Sequence, residues 1–423
     1  MPPTDNNHGS FLTRISIRRN QVVSMVDVNH EQELEEIELF QKHVSDRFIH
    51  LLPPPQIQSA SVPAEENEED EEKTLVDTRH ETLLSINWFR SLLDAYLCCE
   101  SEFKAVLIIG RDATHFSKPP LDRLLPDHLD RTVKALDICN AITHGIELIR
   151  HWQRLAQIAV EALGQRPIVE GHVRRAKKAL STLLTSMTGG EKQTNHHHPV
   201  KSTERMWSIS RRSGGGGSVP AVVGHNRTTT VGKSRSYCFL KSWSASKQIQ
   251  AMSANLVAPR GGEPTGLALP VYIMSSVLVV VMWTLVAAVP CQDRDRAGLG
   301  GHLQLPRHVA WAQPLIGLQE KIGEEWKKKG TSAGLLAEIQ VMERVGLGLV
   351  EFTDGFEFPV GAEAADEVAA MVGELAEVCR RMEVGLGPLQ LQVRELFRRM
   401  VRSRAEVLDV MEHVGKITTS VPY

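Results

Sequence analysis

The apolar run from Leu267 to Val289 constrains the fold of this chain most, because none of its 23 residues carries a charge. At about 1.5 Å of rise per residue, a helix of this length is long enough to cross a hydrocarbon core of roughly 30 Å. Prolines lie near both ends, at Pro270 and Pro290. Two interpretations are therefore open: a single transmembrane anchor, or the central buried helix of a helical bundle.

The charged residues that flank this run do not decide between the two interpretations. Lys247 and Arg260 precede it, whereas Arg294, Arg296 and Arg307 follow it, so the positive-inside rule gives no clear orientation. A spanning helix would also place the amphipathic regions before and after it on opposite sides of the membrane, where each would need its own core. The candidate membrane segment includes Leu267, Tyr272, Val280, Trp283 and Val289.

Apolar residues recur every three or four positions through most of the remaining chain, as expected for amphipathic helices. A first helix is predicted from about Asn29 to Leu52, where Pro53 and the prolines after it end the pattern. A helical block follows from about Thr82 to Met187, and more helices are predicted in the C-terminal third. The chain is therefore predicted to be all-α, an elongated multi-helix bundle with disordered linkers.

Changes in composition divide the chain into five predicted regions. Seven acidic residues between Glu65 and Glu72 are too charged to bury and predict a linker inside the first helical region. Between Lys201 and Lys247, nine lysines and arginines stand against the single acid Glu204, which predicts a basic disordered insert. The regions are a flexible basic N-terminal segment (1–28), an N-terminal helical region (29–188, with the acidic linker at about 59–73), the basic low-complexity insert (189–262), a C-terminal helical region (263–413) and a flexible tail (414–423).

Motifs that would indicate catalysis or cofactor binding are incomplete. Gly232-Lys233-Ser234 ends like a phosphate-binding loop, but Arg227 stands where that loop needs its first glycine. His30 and Glu31 begin like a zinc-protease helix, but Leu34 takes the place of the second histidine. The six cysteines form no CxxC pair. We therefore predict a non-enzymatic chain with no catalytic residue, cofactor, metal site or small-molecule substrate.

A short basic and apolar segment near the N-terminus is a candidate contact for a partner protein or a membrane. In it, Phe11 and Ile15 alternate with Arg14, Arg18 and Arg19, and such a segment can dock on an anionic membrane or in a groove. The alternative is a solvated tail. The basic insert can likewise attract acidic lipids. Nucleic-acid binding is not predicted, because no zinc finger or recognition-helix pattern accompanies the charge.

Several long stretches resemble the plant ROH proteins, which are relatives of the BYPASS proteins. The resemblance lies in FLTRISIRRNQVVSM, VNHEQELEEIELFQKHVSDRF, WFRSLLDAYLCCESEFKAVLI, LDRTVKALDICNAITHGIELIRHWQ, LPVYIMSSVLVVVMWTLVAAVPCQDR and VRELFRRMVRSRAE. These stretches keep their order and together cover most of the chain outside the acidic linker and the basic insert. The resemblance implies a land-plant protein with no known catalytic activity, often assigned a membrane segment at Leu267–Val289.

Two functions follow from this resemblance as expectations. The ROH branch implies binding to a subunit of the exocyst, the complex that tethers secretory vesicles to the plasma membrane. The chain would then be an adaptor that regulates exocytosis or secretion. The BYPASS branch implies instead a membrane-anchored regulator of a root-derived mobile signal that controls shoot development. Either function places the chain at the cytoplasmic side of a membrane, as a single-pass or peripheral protein, and also in the cytoplasm.

Overall fold

Nine α-helices and one short 3₁₀ turn make up the regular structure of the described residues. The structure, a computed structural model, describes residues 25–53, 82–108, 116, 118–188, 243–259, 266–291, 303–329, 333–355 and 362–419. The helices are α1 (Met25–Ile49), α2 (Ile86–Ile108), α3 (Leu121–Leu163), α4 (Glu170–Met187), α5 (Ala245–Ser253), α6 (Ala268–Ala288), α7 (Gln313–Lys329), α8 (Ala337–Asp354) and α9 (Ala362–Thr419). No strand occurs within these ranges, and the all-α prediction is confirmed.

The helices that come before and after residues 190–243 belong to one compact unit. Helix α6 lies inside this unit, and α1, α2, α3, α5 and α7 pack around it. Helix α3 then provides the surface on which α4 and α9 pack, and α8 packs against both α4 and α9. The hydrophobic core therefore has two parts that share α3, one around α6 and one between α3, α4, α8 and α9.

Helix α9 is a single helix of 58 residues, and it continues past residue 413, where the C-terminal helical region was predicted to end. Pro388 lies inside it and removes one backbone hydrogen bond without ending the helix. Gly385 is needed for packing, because a β-carbon there would lie 2.7 Å from Cγ2 of Ile86. Gly385 therefore marks a place where α2 packs closely against a continuous α9.

Helix α5 lies within the range predicted as a disordered basic insert. Ser244 caps it, since its hydroxyl accepts a hydrogen bond from the backbone amide of Lys247 at 3.4 Å. Ala245, Ile249 and Met252 are buried against α3 and α6. The last part of the predicted insert is therefore an ordered helix, and residues 189–242 and 260–262 lie outside the described ranges.

Candidate functional site: the enclosed apolar helix and the outer face of α9

The apolar helix α6 is enclosed by protein, and all of its residues except Leu269 are buried. It is the one helix in the described ranges that is long and apolar enough to cross a membrane, with a mean hydropathy of 2.2, yet its most apolar window is completely buried. All five residues of the candidate membrane segment are buried, with exposed fractions between 0% and 4%. Tyr272, which a spanning helix would place near an interface, packs edge-on against Trp311 at a centroid distance of 5.9 Å. These are the surroundings of a core helix.

The hydroxyl groups of α6 have hydrogen-bond partners inside the core. Ser276 and Thr284 each donate to the backbone carbonyl four residues earlier, both at 2.9 Å. The hydroxyl of Ser275 lies 2.9 Å from Nδ1 of His128 on α3. Burial, together with the nearby positive charge of Arg131, lowers the pKa of His128 to about 4. The imidazole is therefore neutral near pH 7, as an uncharged hydrogen-bond partner in an apolar core must be.

The C-terminal end of α6 is held by close backbone contacts with two other parts of the chain. The amides of Leu335 and Leu336 donate to the last carbonyls of α6 at 3.2 and 3.3 Å. Gly334 has a φ of +149°, and a β-carbon there would lie 2.2 Å from the carbonyl oxygen of Ala288. On the other side, a β-carbon at Gly145 would lie 2.5 Å from Val289. We call these contacts the α6 junction.

Residues 334–338, which include the residues that contact the end of α6, also contact the start of α2. The amide of Ala337 donates to the carbonyl of Leu84 at 3.0 Å. The carboxylate of Glu338 accepts from the amide of Ile86, with both oxygens at 3.3 Å, and so satisfies an amide in the first turn of α2. Burial raises the pKa of Glu338, although these backbone hydrogen bonds act in the opposite direction. The polar groups of this region therefore join the starts of α8 and α2.

A half-buried ion pair joins α1 to α2. The guanidinium of Arg47 donates to both carboxylate oxygens of Glu102, at 2.9 and 2.5 Å, and His43 lies 3.2 Å from the same carboxylate. Burial acts to lower the pKa of Arg47, but hydrogen bonding and proximity to Glu102 raise it overall. This two-pronged geometry fixes how α1 lies on the rest of the unit.

The chemistry of the buried thiols is that of packed side chains. Burial raises the pKa of Cys99 and Cys139 to about 12 and that of Cys379 to about 11, so these thiols stay protonated near neutral pH. Within the described ranges no group of three or more histidine, cysteine or acidic side chains is arranged to hold a metal ion. The predictions that the chain has no metal site and no catalytic residue stay predictions.

The predicted N-terminal contact lies outside the described residues. This applies to Phe11, Arg14, Ile15, Arg18 and Arg19 alike.

A second candidate contact, which the sequence analysis missed, lies on the solvent side of α9. We call it the α9 outer face, and it consists of Leu391, Arg394, Arg398, Val401 and Arg402. The exposed fraction is 62% for Leu391 and 44% for Val401, two of the large apolar side chains that stand out from the surface. The sequence could have indicated this face, because Leu391 is a large apolar residue outside the apolar stripe that includes Val393, Leu396 and Met400.

Comparisons with known proteins agree with the resemblance seen in the sequence. Residues 1–411 match the family described as Protein ROH1-like. The chain is 52% identical to Protein ROH1A of Arabidopsis thaliana, with 100% of both chains covered. It is 37% identical to Protein ROH1D of the same plant, with 98% of this chain and 99% of the relative covered. No solved structure matches. This chain therefore belongs to the ROH1-like family of plant proteins.

Proposed function

We propose that this chain is a non-enzymatic helical adaptor that binds a subunit of the exocyst and regulates exocytosis or secretion. The observation that carries the proposal is membership of the ROH1-like family along almost the whole chain. The resemblance to the plant ROH proteins implies an exocyst contact. A compact helical unit suits an adaptor, because its core fixes the positions of outer helix faces that partners can bind.

The adaptor acts at the cytoplasmic side of a membrane and is attached there peripherally. The enclosure of α6 supports this mode of attachment, because a spanning α6 would expose the apolar faces of the helices around it. Helix α1 is one of the helices that pack on α6, and its side chains Phe40, Val44 and Phe48 are each at most 1% exposed. The N-terminal segment from Phe11 to Arg19 is the proposed contact with the exocyst subunit.

A membrane-anchored regulator of a root-derived mobile signal is the second candidate. The hydropathy of α6 favours it, because the helix is long and apolar enough to span a bilayer. Alkaline carbonate extraction of plant membranes separates the two candidates. The peripheral adaptor is released into the supernatant, whereas a spanning anchor stays in the pellet together with integral membrane proteins.

Co-precipitation from plant cells tests the exocyst contact directly. The tagged chain should enrich exocyst subunits over an unrelated helical bait, and a variant with Arg14, Arg18 and Arg19 changed to glutamate should enrich them less. A matched control changes Arg174, Arg175 and Lys178, three exposed cations of α4, to glutamate and should behave like the native chain. No enrichment by the native chain would remove the adaptor proposal.

A further inference from the structure

We propose that the α9 outer face is a binding site for an anionic membrane surface. Its members are separated by three, four, three and one residues, so they share one side of the helix. At about 1.5 Å per residue, the face is roughly 17 Å long. The opposite side of α9 is fixed to the protein, where Val393, Leu396 and Met400 are each at most 2% exposed. The face is therefore held outward by a rigid helix.

The charge of this part of α9 is strongly positive. Between Arg394 and Arg404 there are five arginines and a single acid, Glu395. Glu395 lies 3.0 Å from Arg399 and 4.0 Å from Arg398, and Arg399 also donates to the hydroxyl of Ser101 at 3.3 Å. The side chain of Arg398 is nevertheless 71% exposed. A surplus of positive charge therefore faces the solvent beside two exposed apolar side chains.

The neighbouring surface of α2 adds little opposing charge. Helix α2 runs beside this part of α9, and the pairs formed by Gln392 with Asp94 and by Arg399 with Ser101 mark its path. Its exposed acid there, Asp94, accepts a hydrogen bond from Gln392 at 2.7 Å, and its other acid there, Glu100, is buried and bonds to Ser403 close to Arg399. An anionic surface that approaches α9 therefore meets a net positive strip.

The combination of groups fits a lipid bilayer better than an acidic protein. A stable protein interface buries about 800 Å² on each partner around an apolar centre, and two apolar side chains in one helical row are too few for that. A bilayer is flat, so only the outermost side chains of α9 need to reach it. Leu391 and Val401 can insert into the bilayer beside the lipid phosphates. Arginine forks match phosphate oxygens, and each basic residue near an anionic bilayer strengthens partitioning by roughly fivefold.

A second basic cluster, on α4, provides a matched comparison. Arg174, Arg175, Lys177 and Lys178 are all exposed, but Arg174 pairs with Glu170 at 2.5 Å and Lys177 pairs with Asp354 at 2.6 Å. The α4 cluster is charged, but it lacks the adjacent pair of large exposed apolar side chains that the α9 outer face has. The two clusters therefore separate general attraction by charge from binding at a particular face.

The inference rests on the proposed peripheral membrane attachment but not on the exocyst contact. It is tested with the purified full-length chain and vesicles of phosphatidylcholine and phosphatidylserine in a two-to-one ratio, with pure phosphatidylcholine vesicles as the neutral reference. The native chain should float with the anionic vesicles. The triple variant R394Q/R398Q/R402Q should partition roughly 100-fold more weakly, whereas R174Q/R175Q/K178Q, which removes the same charge, should change partitioning by less than about threefold.

The apolar part of the face has its own pair of variants. L391Q/V401Q should weaken binding to anionic vesicles by roughly tenfold or more, because two exposed side chains lose their insertion into the bilayer. The control L347Q/V257Q changes two side chains that are 55% and 60% exposed elsewhere and should leave partitioning unchanged. Circular dichroism and thermal unfolding establish that each variant folds like the native chain.

Three results would overturn the inference, and they are distinguishable. Equal losses in the α9 and α4 charge variants would mean that binding follows net charge alone. Undiminished binding by R394Q/R398Q/R402Q would remove the α9 site while membrane attachment stands, and a simultaneous loss of exocyst co-precipitation would make this face a protein contact. No binding of the native chain to anionic vesicles would remove both the site and the proposed direct attachment, but not the exocyst contact.

Discussion

Replacing Leu278 with alanine tests whether α6 is a core helix of the folded chain. Leu278 is 0% exposed and lies in the middle of α6. The change removes buried apolar surface and leaves a cavity, which typically costs about 2–5 kcal/mol of unfolding free energy. Because α1, α2, α3, α5 and α7 contact α6 from several sides, the site cannot collapse easily. We therefore expect a loss of about 3–5 kcal/mol.

The assay is unfolding of the purified full-length chain by urea, in buffer without detergent or lipid. The native chain should stay soluble under these conditions, and the alanine variant should unfold at lower urea with an unchanged slope. The matched control is Leu391→Ala on the α9 outer face, which is 62% exposed and should cost less than about 0.5 kcal/mol. A native chain that requires detergent, or a Leu278→Ala effect as small as that of the control, would refute the reasoning.

Three more changes probe the contacts around α6 and between α1 and α2. Gly334→Ala should lower the unfolding free energy by about 2 kcal/mol or more, because the new methyl group overlaps the last turn of α6. Gly171→Ala, which meets nothing within 4 Å, should be neutral or slightly stabilising in the same urea unfolding assay. Burial lowers the folded-state pKa of His128 to about 4 from an ordinary value of 6.5, so between these pH values the unfolded chain binds a proton that the folded chain does not. The free energy of unfolding should therefore have its full value above pH 6.5 and lose about 3 kcal/mol as the pH falls toward 4. The variant His128→Asn should therefore show a flatter fall in stability across this pH range, and an unchanged slope would contradict the assignment. Arg47→Ala and Glu102→Ala, combined in a double-mutant cycle, should show a coupling of about 1–2 kcal/mol, and a coupling near zero would show that their contact does not hold α1 in place.

Helical periodicity predicts most of the fold because it reports which side of each helix is buried. The stripe of Ile37, Phe40, Val44 and Phe48 places α1 correctly, and all four side chains are at most 2% exposed. The predicted helix ends differ from the structure by a few residues, since α1 runs from Met25 to Ile49. Such shifts are expected where helix ends have few side-chain contacts.

The surroundings of α6 could not be predicted from its own residues. A run of 23 uncharged residues is equally compatible with a lipid bilayer and with a protein core, because both environments remove apolar surface from water. The contacts that enclose α6 in the structure come from elsewhere in the chain. Gly145 and Gly334 leave room for backbone contacts with the end of α6, and His128 supplies a buried partner for Ser275. Each of these residues looks ordinary in its local sequence.

Helix α5 was missed for a similar reason, and the continuity of α9 likewise depends on distant contacts. Helix α5 buries only four side chains, those of Ala245, Ser246, Ile249 and Met252, and a helix this short gains its stability from tertiary packing. In α9, Gly385 and Pro388 suggest a break when local propensity alone is considered. Packing against Ile86 across nearly 300 positions of sequence favours the continuous helix instead.

The position of α6 in the chain has a consequence for the order in which the protein assembles during synthesis. Of the five described helices that contact α6 most closely, α1, α2, α3 and α5 precede it in the sequence and only α7 follows. When α6 leaves the ribosome, most of its protein partners have already been made. The nascent chain can therefore cover its most apolar helix at once, before that helix meets a membrane or another exposed chain. The later arrival of residues 333–338 then completes the α6 junction.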